Sequence, residues 1–344
     1  MFRRDFLASF ALALRRDRLD EAAALLGRFT ASGEVAAAAL HVRQGDHTFQ
    51  RGFGKATSPD TVFLLASITK PMTATAVMVL ADRGALELSD LVRKFIPEFI
   101  GGDRDRITIQ HLLTHTSGLP DMLAENTDLR KRHAPMKDFV AGACRTPLLF
   151  KPGTEVRYQS MGILLAAEIV ERVTKRPLRD FLREIVFSPL GMKSASLGMG
   201  GRKISDTALC QVTGDDDWNW NSPYWRDFGA PWGGAHASAP DVARLLDYFL
   251  KPDARVLKPV TAAAMILDQN HGLNDPWGIG WMVKPGRFGK SCSPRAFGHY
   301  GSTGTIAWAD PATGLTCVLL TTKPASDSRD KVLAPVSDLV SLAV

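Results

Sequence analysis

The stretch Ser67-Ile68-Thr69-Lys70 opens a long apolar run that extends to residue 83. The run predicts a helix that begins at Ser67, and Pro71 fits its first turn because the amide that a proline lacks would have no partner there. Residues three apart lie on one face of a helix, so the hydroxyl of Ser67 and the amine of Lys70 can meet. A short apolar strand is predicted directly before this helix, over residues 61–66.

The segments around this helix predict a sheet that is built from both ends of the chain. Residues 20–29 favour a first helix, and residues 331–342 favour a closing one. A hairpin is predicted over residues 35–42 and 48–53. Further strands are predicted over residues 279–283, 296–300, 305–309 and 315–322. Helices are predicted in the middle of the chain over residues 108–114, 162–173, 178–186 and 240–250.

Strands at both ends with helices between them indicate an α/β (α+β) architecture. A sheet domain is predicted over residues 17–84 together with 270–344, and an inserted mainly helical domain over residues 85–269. The chain has 344 residues, which is more than a single core usually covers. The length therefore agrees with one large or two interleaved domains.

The composition excludes several classes of protein. The 42 basic and 36 acidic residues give a net charge of +6, but the basic residues are scattered and form no stripe of the kind that binds nucleic acid. No window approaches the roughly 20 apolar residues of a membrane-spanning helix. The four cysteines lie far apart without a Cys-x-x-Cys pair, so neither a zinc site nor a disulfide framework is expected. These observations predict no nucleic-acid partner and no membrane span.

The first residues leave the location of the protein open. Arg3-Arg4-Asp5-Phe6-Leu7 and the apolar residues 8–14 are typical of a twin-arginine export signal. The apolar run is short, however, and Arg15-Arg16 follow it directly, which favours an amphipathic first helix instead. Residues 1–16 are therefore either a leader or part of a first helix, and the protein is either exported or cytoplasmic.

Ser67 and Lys70 form a pair that is suited to nucleophilic catalysis. A serine hydroxyl is a weak nucleophile until a neighbouring group removes its proton, and a partly desolvated lysine is able to do so. A free lysine has a pKa of about 10.4, so Lys70 must be held neutral by its surroundings or be helped by a second group. The free amides at the start of the helix are also placed to stabilise an oxyanion.

Two further motifs carry groups that complete such a site. Tyr158-Gln159-Ser160 follows a Pro-Gly loop, and a cationic neighbour is expected to lower the pKa of Tyr158 so that it acts as the base. Gly298-His299-Tyr300-Gly301-Ser302-Thr303-Gly304 lies where a strand leads into a hairpin. Its glycines allow a substrate to approach the backbone amides closely.

In this order, the three motifs resemble those of the serine hydrolases of the class C β-lactamase and penicillin-binding-protein family, which includes the family VIII carboxylesterases. Residues 112–120 and Trp277-Gly278-Ile279-Gly280-Trp281 share the resemblance, which covers the chain from about Leu19 to its end. The resemblance implies a β-lactamase/transpeptidase-like fold, with an antiparallel sheet flanked by helices and an inserted mainly helical domain.

The resemblance also implies the roles of the site residues. Ser67 is expected to be the acylated nucleophile, Lys70 its proton-transfer partner, and Tyr158 the base that also protonates the leaving group. The main-chain amides of Ser67 and Ser302 are expected to form the oxyanion hole. The residues expected to contact the substrate are His299, Tyr300, Gly301 and Ser160.

Two departures from the family pattern bear on the substrate. Where the β-lactamases usually have Lys-Thr-Gly, this chain has His299-Tyr300-Gly301, and a histidine is mostly neutral at pH 7. Where they usually have Tyr-x-Asn, it has Ser160 in place of the amide. Both changes favour a carboxylesterase that acts on short-chain esters, with a β-lactamase or a D-alanyl peptidase as the alternative and a non-catalytic scaffold as a remote one. We expect a small-molecule ester or amide substrate and no cofactor, and the oligomeric state stays open.

Two other signals have competing interpretations. His111 and His115 have the spacing of zinc ligands, but no glutamate lies between them and no third ligand is evident, so a structural role is expected and no metal is predicted. Four tryptophans cluster within residues 218–232, where they either fill a core between loops or line an apolar ligand pocket. Trp232, which belongs to this cluster, is a candidate for substrate binding.

Overall fold

The computed structural model describes residues 14–344, so the twin-arginine stretch and most of the leader predicted for residues 1–16 lie outside the described residues. The α-helices are α1 (Arg16–Ala31), α2 (Thr69–Asp82), α3 (Ile109–Leu113), α4 (Asn126–Lys131), α5 (Met136–Arg145), α6 (Met161–Thr174), α7 (Leu178–Leu182), α8 (Pro223–Phe228), α9 (Ala239–Leu250), α10 (Pro259–Met265), α11 (Ala325–Ser328) and α12 (Ala334–Ser341). The strands are β1 (Ala37–Gln44), β2 (His47–Gly54), β3 (Phe63–Leu64), β4 (Ser196–Leu197), β5 (Ala235–Ala237), β6 (Phe297–Gly301), β7 (Thr305–Asp310) and β8 (Leu315–Thr321).

The larger sheet joins the two ends of the described chain. It has five antiparallel strands in the order β2-β1-β8-β7-β6. In β1, Leu40 pairs with Arg51 of β2 on one side and with Leu319 of β8 on the other. The predicted antiparallel sheet is therefore confirmed. A smaller antiparallel sheet, β3-β5-β4, lies beside the entry to α2.

Helices cover both faces of the larger sheet. On one face, α1 and α12 pack over a core in which the indole Nε1 of Trp308 donates a hydrogen bond to Ser337 Oγ at 2.7 Å. On the other face, α9 packs against β1, β7 and β8. The sequence places α9 within the predicted helical domain, whereas its Leu245 and Phe249 share one core cluster with Val318 of the sheet. That cluster is continuous with the interior of the helical region.

Helix α2 runs through the interior of the molecule. Every residue from Thr69 to Leu80 is buried. The apolar residues of this helix are distributed around its whole circumference and do not form a single stripe, which is typical of a helix in the interior. A single 3₁₀ turn, Ala66–Ile68, precedes it and carries Ser67. The α-helix thus begins two residues later than the sequence predicts, but Lys70 still lies one turn after Ser67.

The strand predicted over residues 279–283 is wrong. Met282 forms only isolated bridges there, one to Trp277 and one to Gly298. The backbone turns at Gly280, where φ is +74° and an added Cβ would lie 2.5 Å from the Cβ of Ala74 in α2. This close approach to α2 requires a glycine and a bend, and an extended strand provides neither.

No helix within residues 14–344 combines the length and the apolar character that a membrane crossing requires.

Candidate active site

Ser67 lies on a strained turn at the entry to α2. The preceding residue, Ala66, has a φ of +48°, which is rare for a residue with a Cβ and is typical of functional turns. The turn is fixed by Thr69, whose Oγ1 donates to Ala66 O at 2.7 Å and accepts from the N–H of Ala235 at 3.0 Å. Ser67 itself stays partly exposed, so a substrate can reach its hydroxyl.

Lys70 is the buried partner of Ser67. Its Nζ donates to Ser67 Oγ at 3.1 Å and to the main-chain oxygen of Trp232 at 3.0 Å. The side chain is 0% exposed, and this burial lowers the pKa of Lys70 from 10.5 to about 7, although the charge of Asp121 acts in the opposite direction. A substantial fraction of the amine is therefore neutral at pH 7 and is able to accept a proton from Ser67.

Tyr158 packs against the amine of Lys70 and the ring of His299. Its ring lies under the amine of Lys70, with Nζ 4.6 Å from the ring centroid. Burial raises the pKa of Tyr158 above its ordinary value, and the hydroxyl of Ser67 offsets only part of that rise. The expected fall in the pKa of this phenol is wrong, because loss of hydration outweighs the attraction of a lysine that itself loses much of its charge. Tyr158 is thus a neutral phenol.

The third motif sends alternate side chains to opposite faces of the sheet. On β6, His299 points towards the site, where its ring centroid lies 6.0 Å from those of both Tyr158 and Trp277. Tyr300 points to the other face, stacks on Phe288 with centroids 5.8 Å apart and donates its hydroxyl to the main-chain oxygen of Arg287. This alternation follows from the period of two in a strand. The side chain of Tyr300 therefore does not join the site residues.

His299 is a neutral hydrogen-bond acceptor in this position. Burial and the nearby Lys70 lower the pKa of His299 to about 3. Its Nδ1 donates to the main-chain oxygen of Tyr300 at 2.7 Å, which leaves the lone pair on Nε2. Among the described residues this buried Nε2 has no hydrogen-bond partner. Its lone pair is therefore free to accept a hydrogen bond.

Two threonine hydroxyls hold the third motif beside the nucleophile. Thr303 Oγ1 donates to Leu64 O at 2.8 Å, and Thr305 Oγ1 donates to Leu65 O at 2.9 Å. Both acceptors belong to the segment that leads directly into Ser67. The sequence order of the motifs gives no hint of these bonds, which span about 240 residues.

Gly301 allows the backbone of the third motif, including the amide of Ser302, to lie close to the segment before Ser67. A Cβ on Gly301 would lie 2.3 Å from Leu65 O, so only glycine allows the strand to come this close. Ser302 follows in the turn and is exposed. Its N–H donates to no other group within residues 14–344, and the N–H of Ser67 lies at the start of a helical turn, where amides lack intrahelical acceptors. These two amides are available to an oxyanion.

The other two substrate-binding candidates take part in a different way. The hydroxyl of Ser160 is buried and donates to Asp121 Oδ1 at 2.6 Å. The indole of Trp232 is 2% exposed and packs against Phe139 and Phe228, with centroids 6.0 and 6.2 Å apart. Trp232 therefore reaches the site through its main-chain oxygen, which binds Lys70, and the expectation that its ring lines the substrate pocket is not met.

His115, Trp277 and Asp121 belong to the site, although sequence reasoning gave them no catalytic place. His115 has a φ of +62°, and its ring packs 4.8 Å from that of Tyr158 and edge-on, 4.5 Å, against that of Trp277. Its Nδ1 accepts the N–H of Gln159 at 3.2 Å, which fixes the backbone next to Tyr158. The family-like stretches that contain His115 and Trp277 were the available signal, whereas nothing marked Asp121.

No metal site is formed by the described part of the chain, in which no group of three or more His, Cys, Asp or Glu side chains could hold an ion. His111, the other histidine of the zinc-like pair, has a local structural role. Its Nδ1 accepts the N–H of Thr108 at 3.1 Å and helps to cap α3. All four cysteines are free.

Known proteins are similar to this chain over the region that contains the site. A family model described as Beta-lactamase matches residues 22–341. Esterase EstB of Burkholderia gladioli is 34% identical over 201 residues, which are 54% of this chain and 49% of that protein. Penicillin-binding protein 4 of Amycolatopsis lactamdurans is 29% identical over 308 residues, 84% of this chain and 77% of that protein. The chain spans about half or less of the length of the first curated relatives that it matches.

A solved structure supports the same architecture. The structure titled "EstCE1, a hydrolase with promiscuous acyltransferase activity" superposes with a TM-score of 0.79 at 19% identity, covering 94% of this chain and 99% of that one. At this identity the similarity concerns the fold.

Proposed function

Because the chain belongs to the beta-lactamase family, as its three motifs predict, we propose that it is a serine hydrolase that forms an acyl-enzyme on Ser67 and acts on short-chain carboxylic esters. One observation carries the proposal: the amine of Lys70 lies 3.1 Å from Ser67 Oγ and is buried deeply enough to lose its proton near pH 7. Such a pair activates a serine without a metal or an organic cofactor.

In the acylation step, neutral Lys70 accepts the proton of Ser67 while Oγ attacks the carbonyl carbon of the ester. The new O–C bond places a negative charge on the carbonyl oxygen, and the amides of Ser67 and Ser302 stabilise it. When the C–O bond to the alcohol breaks, the proton held by Lys70 passes to the leaving oxygen. Tyr158, a neutral phenol next to Ser67 and Lys70, relays this proton by donating its own and taking that of Lys70.

Deacylation repeats these steps with water. Lys70 accepts a proton from the attacking water, the carboxylic acid forms, and Ser67 leaves and recovers its proton. Because Lys70 is neutral at the start of each half-reaction, a pKa near 7 suits it to both. The unpartnered Nε2 of His299 is a further acceptor within this pocket for a water or substrate hydrogen.

The charge of the site favours esters over β-lactam antibiotics. The lysine that usually holds a β-lactam carboxylate is replaced by His299, which burial keeps neutral. The esterase named among the relatives supports this preference, whereas the penicillin-binding protein among them supports the alternative, a β-lactamase or D-alanyl peptidase.

Hydrolysis of p-nitrophenyl acetate and butyrate tests the proposal. Ser67→Ala is expected to lower kcat by at least about 10³-fold, since the nucleophile is lost. Ser205→Ala, which removes an exposed hydroxyl from a 3₁₀ turn, is the matched control. A fluorophosphonate probe followed by mass spectrometry of the peptide that contains Ser67 checks the same serine directly.

Three results would overturn the proposal. Ester turnover by Ser67→Ala at a rate close to that of the wild type would exclude Ser67 as nucleophile. Nitrocefin hydrolysis much faster than ester hydrolysis would make the protein a β-lactamase. No turnover together with no adduct on Ser67 would favour the non-catalytic scaffold.

A further inference from the structure

Asp121 is a carboxylate at the rim of the site that the mechanism does not use. Two hydrogen bonds tie it to the segment of Tyr158: Ser160 Oγ donates to Asp121 Oδ1 at 2.6 Å, and the N–H of Ser160 donates to Asp121 O at 3.3 Å. Ser160 is 1% exposed, and its bond holds one oxygen of the Asp121 carboxylate in place. Asp121 itself is exposed to solvent.

The carboxylate of Asp121 has no cationic partner within residues 14–344, because no Lys, Arg or His side chain there forms an ion pair with it. Its second oxygen, Oδ2, receives no hydrogen bond from the described residues. Its charge nevertheless reaches the reacting groups, since it raises the pKa of both Lys70 and Tyr158.

The other titratable groups of the site do not balance this charge. His115 and His299 are buried, and both have lowered pKa values, so they are neutral. Lys70 is the cation whose charge reaches these two rings, and it loses its proton near pH 7. Above that pH, the buried groups Lys70, His115 and His299 supply no positive charge to offset the carboxylate of Asp121.

We propose that Asp121 is a specificity-determining residue that binds a cationic group of the substrate. The favoured substrates are then esters or amides that carry an ammonium or quaternary ammonium group within reach of the scissile carbonyl. An anionic substrate is repelled by the same carboxylate, which has no ion-pair partner within residues 14–344. This inference rests on the proposed hydrolase function of the same site and narrows its substrate class.

The expected preference is moderate, because Asp121 is exposed and water screens its charge. An exposed ion pair corresponds to a few-fold change in affinity, and a well-oriented one to about tenfold. We therefore expect a ratio of about three to ten between the kcat/KM values of a cationic substrate and its neutral isostere at low salt. The ratio should fall as salt is added, since the Debye length shortens from about 30 Å at 0.01 M to 3 Å at 1 M.

Two series of esters matched in shape test the proposal. In the first, p-nitrophenyl esters carry 4-(trimethylammonio)butyrate, its neutral isostere 5,5-dimethylhexanoate, or hemiglutarate as the acyl group. In the second, butyrate is esterified with choline, its neutral isostere 3,3-dimethylbutanol, or 3-hydroxypropanoate. The two series place the charge on the acyl side or on the alcohol side, and kcat/KM is measured for each at 0.01 M and 0.5 M NaCl.

Asp121→Asn is the decisive variant, because it keeps the shape of the side chain and its bond with Ser160 but removes the charge. It should bring the ratio of cationic to neutral substrate close to one. Asp46→Asn is the matched control. It neutralises another exposed carboxylate in the β1–β2 turn, at the opposite end of the strands from Gly301, and should leave the ratio unchanged.

The outcomes separate this inference from the function on which it rests. If the neutral esters are hydrolysed but neither series shows a cationic preference, or if Asp121→Asn retains that preference, the role of Asp121 is wrong and the hydrolase stands. If none of the esters is turned over and no adduct forms on Ser67, the proposed function fails and the inference falls with it.

Discussion

The buried floor of the site and its solvent-exposed rim differ in what sets the charge of their side chains. On the floor, Lys70, His115 and His299 are at most 1% exposed, and burial lowers the pKa of each until the group is neutral or nearly so at pH 7. On the rim, the carboxylate of Asp121 is exposed to solvent. Desolvation thus determines the protonation states of the buried groups on the floor. The charge on the rim acts through Coulomb interactions that water and salt weaken.

This difference predicts which changes have large effects. A substitution on the floor alters protonation states or packing in a place from which water is excluded, so it should change kcat strongly. A substitution on the rim should change selectivity and pH dependence by smaller factors. Small effects of floor substitutions, or large effects of rim substitutions, would contradict this distinction.

The largest effect is expected for Lys70→Met, which removes the proton acceptor but keeps the volume of the side chain. In the proposed mechanism kcat should fall by about 10²–10⁴-fold, the usual contribution of a general base. The same variant should be more stable, because a buried amine is replaced by an apolar group of similar shape. We expect Tm to rise by about 2–5 °C.

The gain in stability should depend on pH with a definite sign. The pKa of Lys70 is lowered in the folded state, so between about pH 7 and 10.5 the unfolded chain binds more protons than the folded one, and the stability of the wild type rises with pH. The advantage of Lys70→Met should therefore be greatest at or below pH 7 and shrink towards pH 10. Lys55→Met, at an exposed position, serves as the control. A variant that loses stability at every pH would contradict the cost assigned to the buried amine.

A second large effect is expected for Gly301→Ala, at the edge of the floor. The added Cβ would lie 2.3 Å from Leu65 O, so β6 and the turn that carries Ser302 must move away from Ser67. If the amide of Ser302 stabilises the oxyanion, kcat should fall by about 10²–10³-fold. Gly314→Ala tests a glycine with open space around its Cβ position, although its φ of +69° adds backbone strain of its own. Full activity in Gly301→Ala would exclude Ser302 from the oxyanion hole.

The sequence was sufficient for the parts of this site that depend on local spacing. Ser67 and Lys70 are three residues apart on one helical turn, and the alternation of β6 follows from the period of a strand. It was insufficient wherever a partner is distant in the chain. The main-chain oxygen of Trp232, 162 residues from Lys70, binds its amine, and no side-chain pattern encodes a backbone acceptor.

The sequence also misled where burial opposes charge. A lysine beside Tyr158 predicted a lower pKa for the phenol, but the depth of the site raises it. Depth is a property of the whole fold, so it cannot be inferred from neighbouring residues. The bend at Gly280 has the same origin, because it depends on contact with α2 and overrides an apolar pattern that is typical of a strand.

An intermediate effect is expected at His115, a positioning residue on the floor. Its ring supports that of Tyr158, and its Nδ1 accepts the N–H of Gln159. His115→Ala removes both contacts at a φ of +62° and should lower kcat by about 10–100-fold with little change in KM, as expected when a relay group is misplaced. His115→Asn should recover part of the loss, since asparagine tolerates this φ and its Oδ1 is able to replace Nδ1. A fall in Tm without a change in kcat would leave His115 with a structural role alone.

The smallest effect is expected from the rim, in the pH profile of kcat/KM for a neutral ester. Because Lys70 must be neutral to accept the proton of Ser67, the wild-type rate should rise with pH with a midpoint near 7. The charge of Asp121 raises the pKa of Lys70, so Asp121→Asn should move this midpoint downwards. An exposed charge is worth at most about 1 kcal/mol, which limits the shift to about 0.7 pH unit. The shift should vanish in 0.5 M NaCl, because salt screens the Asp121 charge that the substitution removes. A midpoint that moves upwards, or by more than one unit, would mean that Asp121 acts through the packing of the floor and not through its charge at the rim.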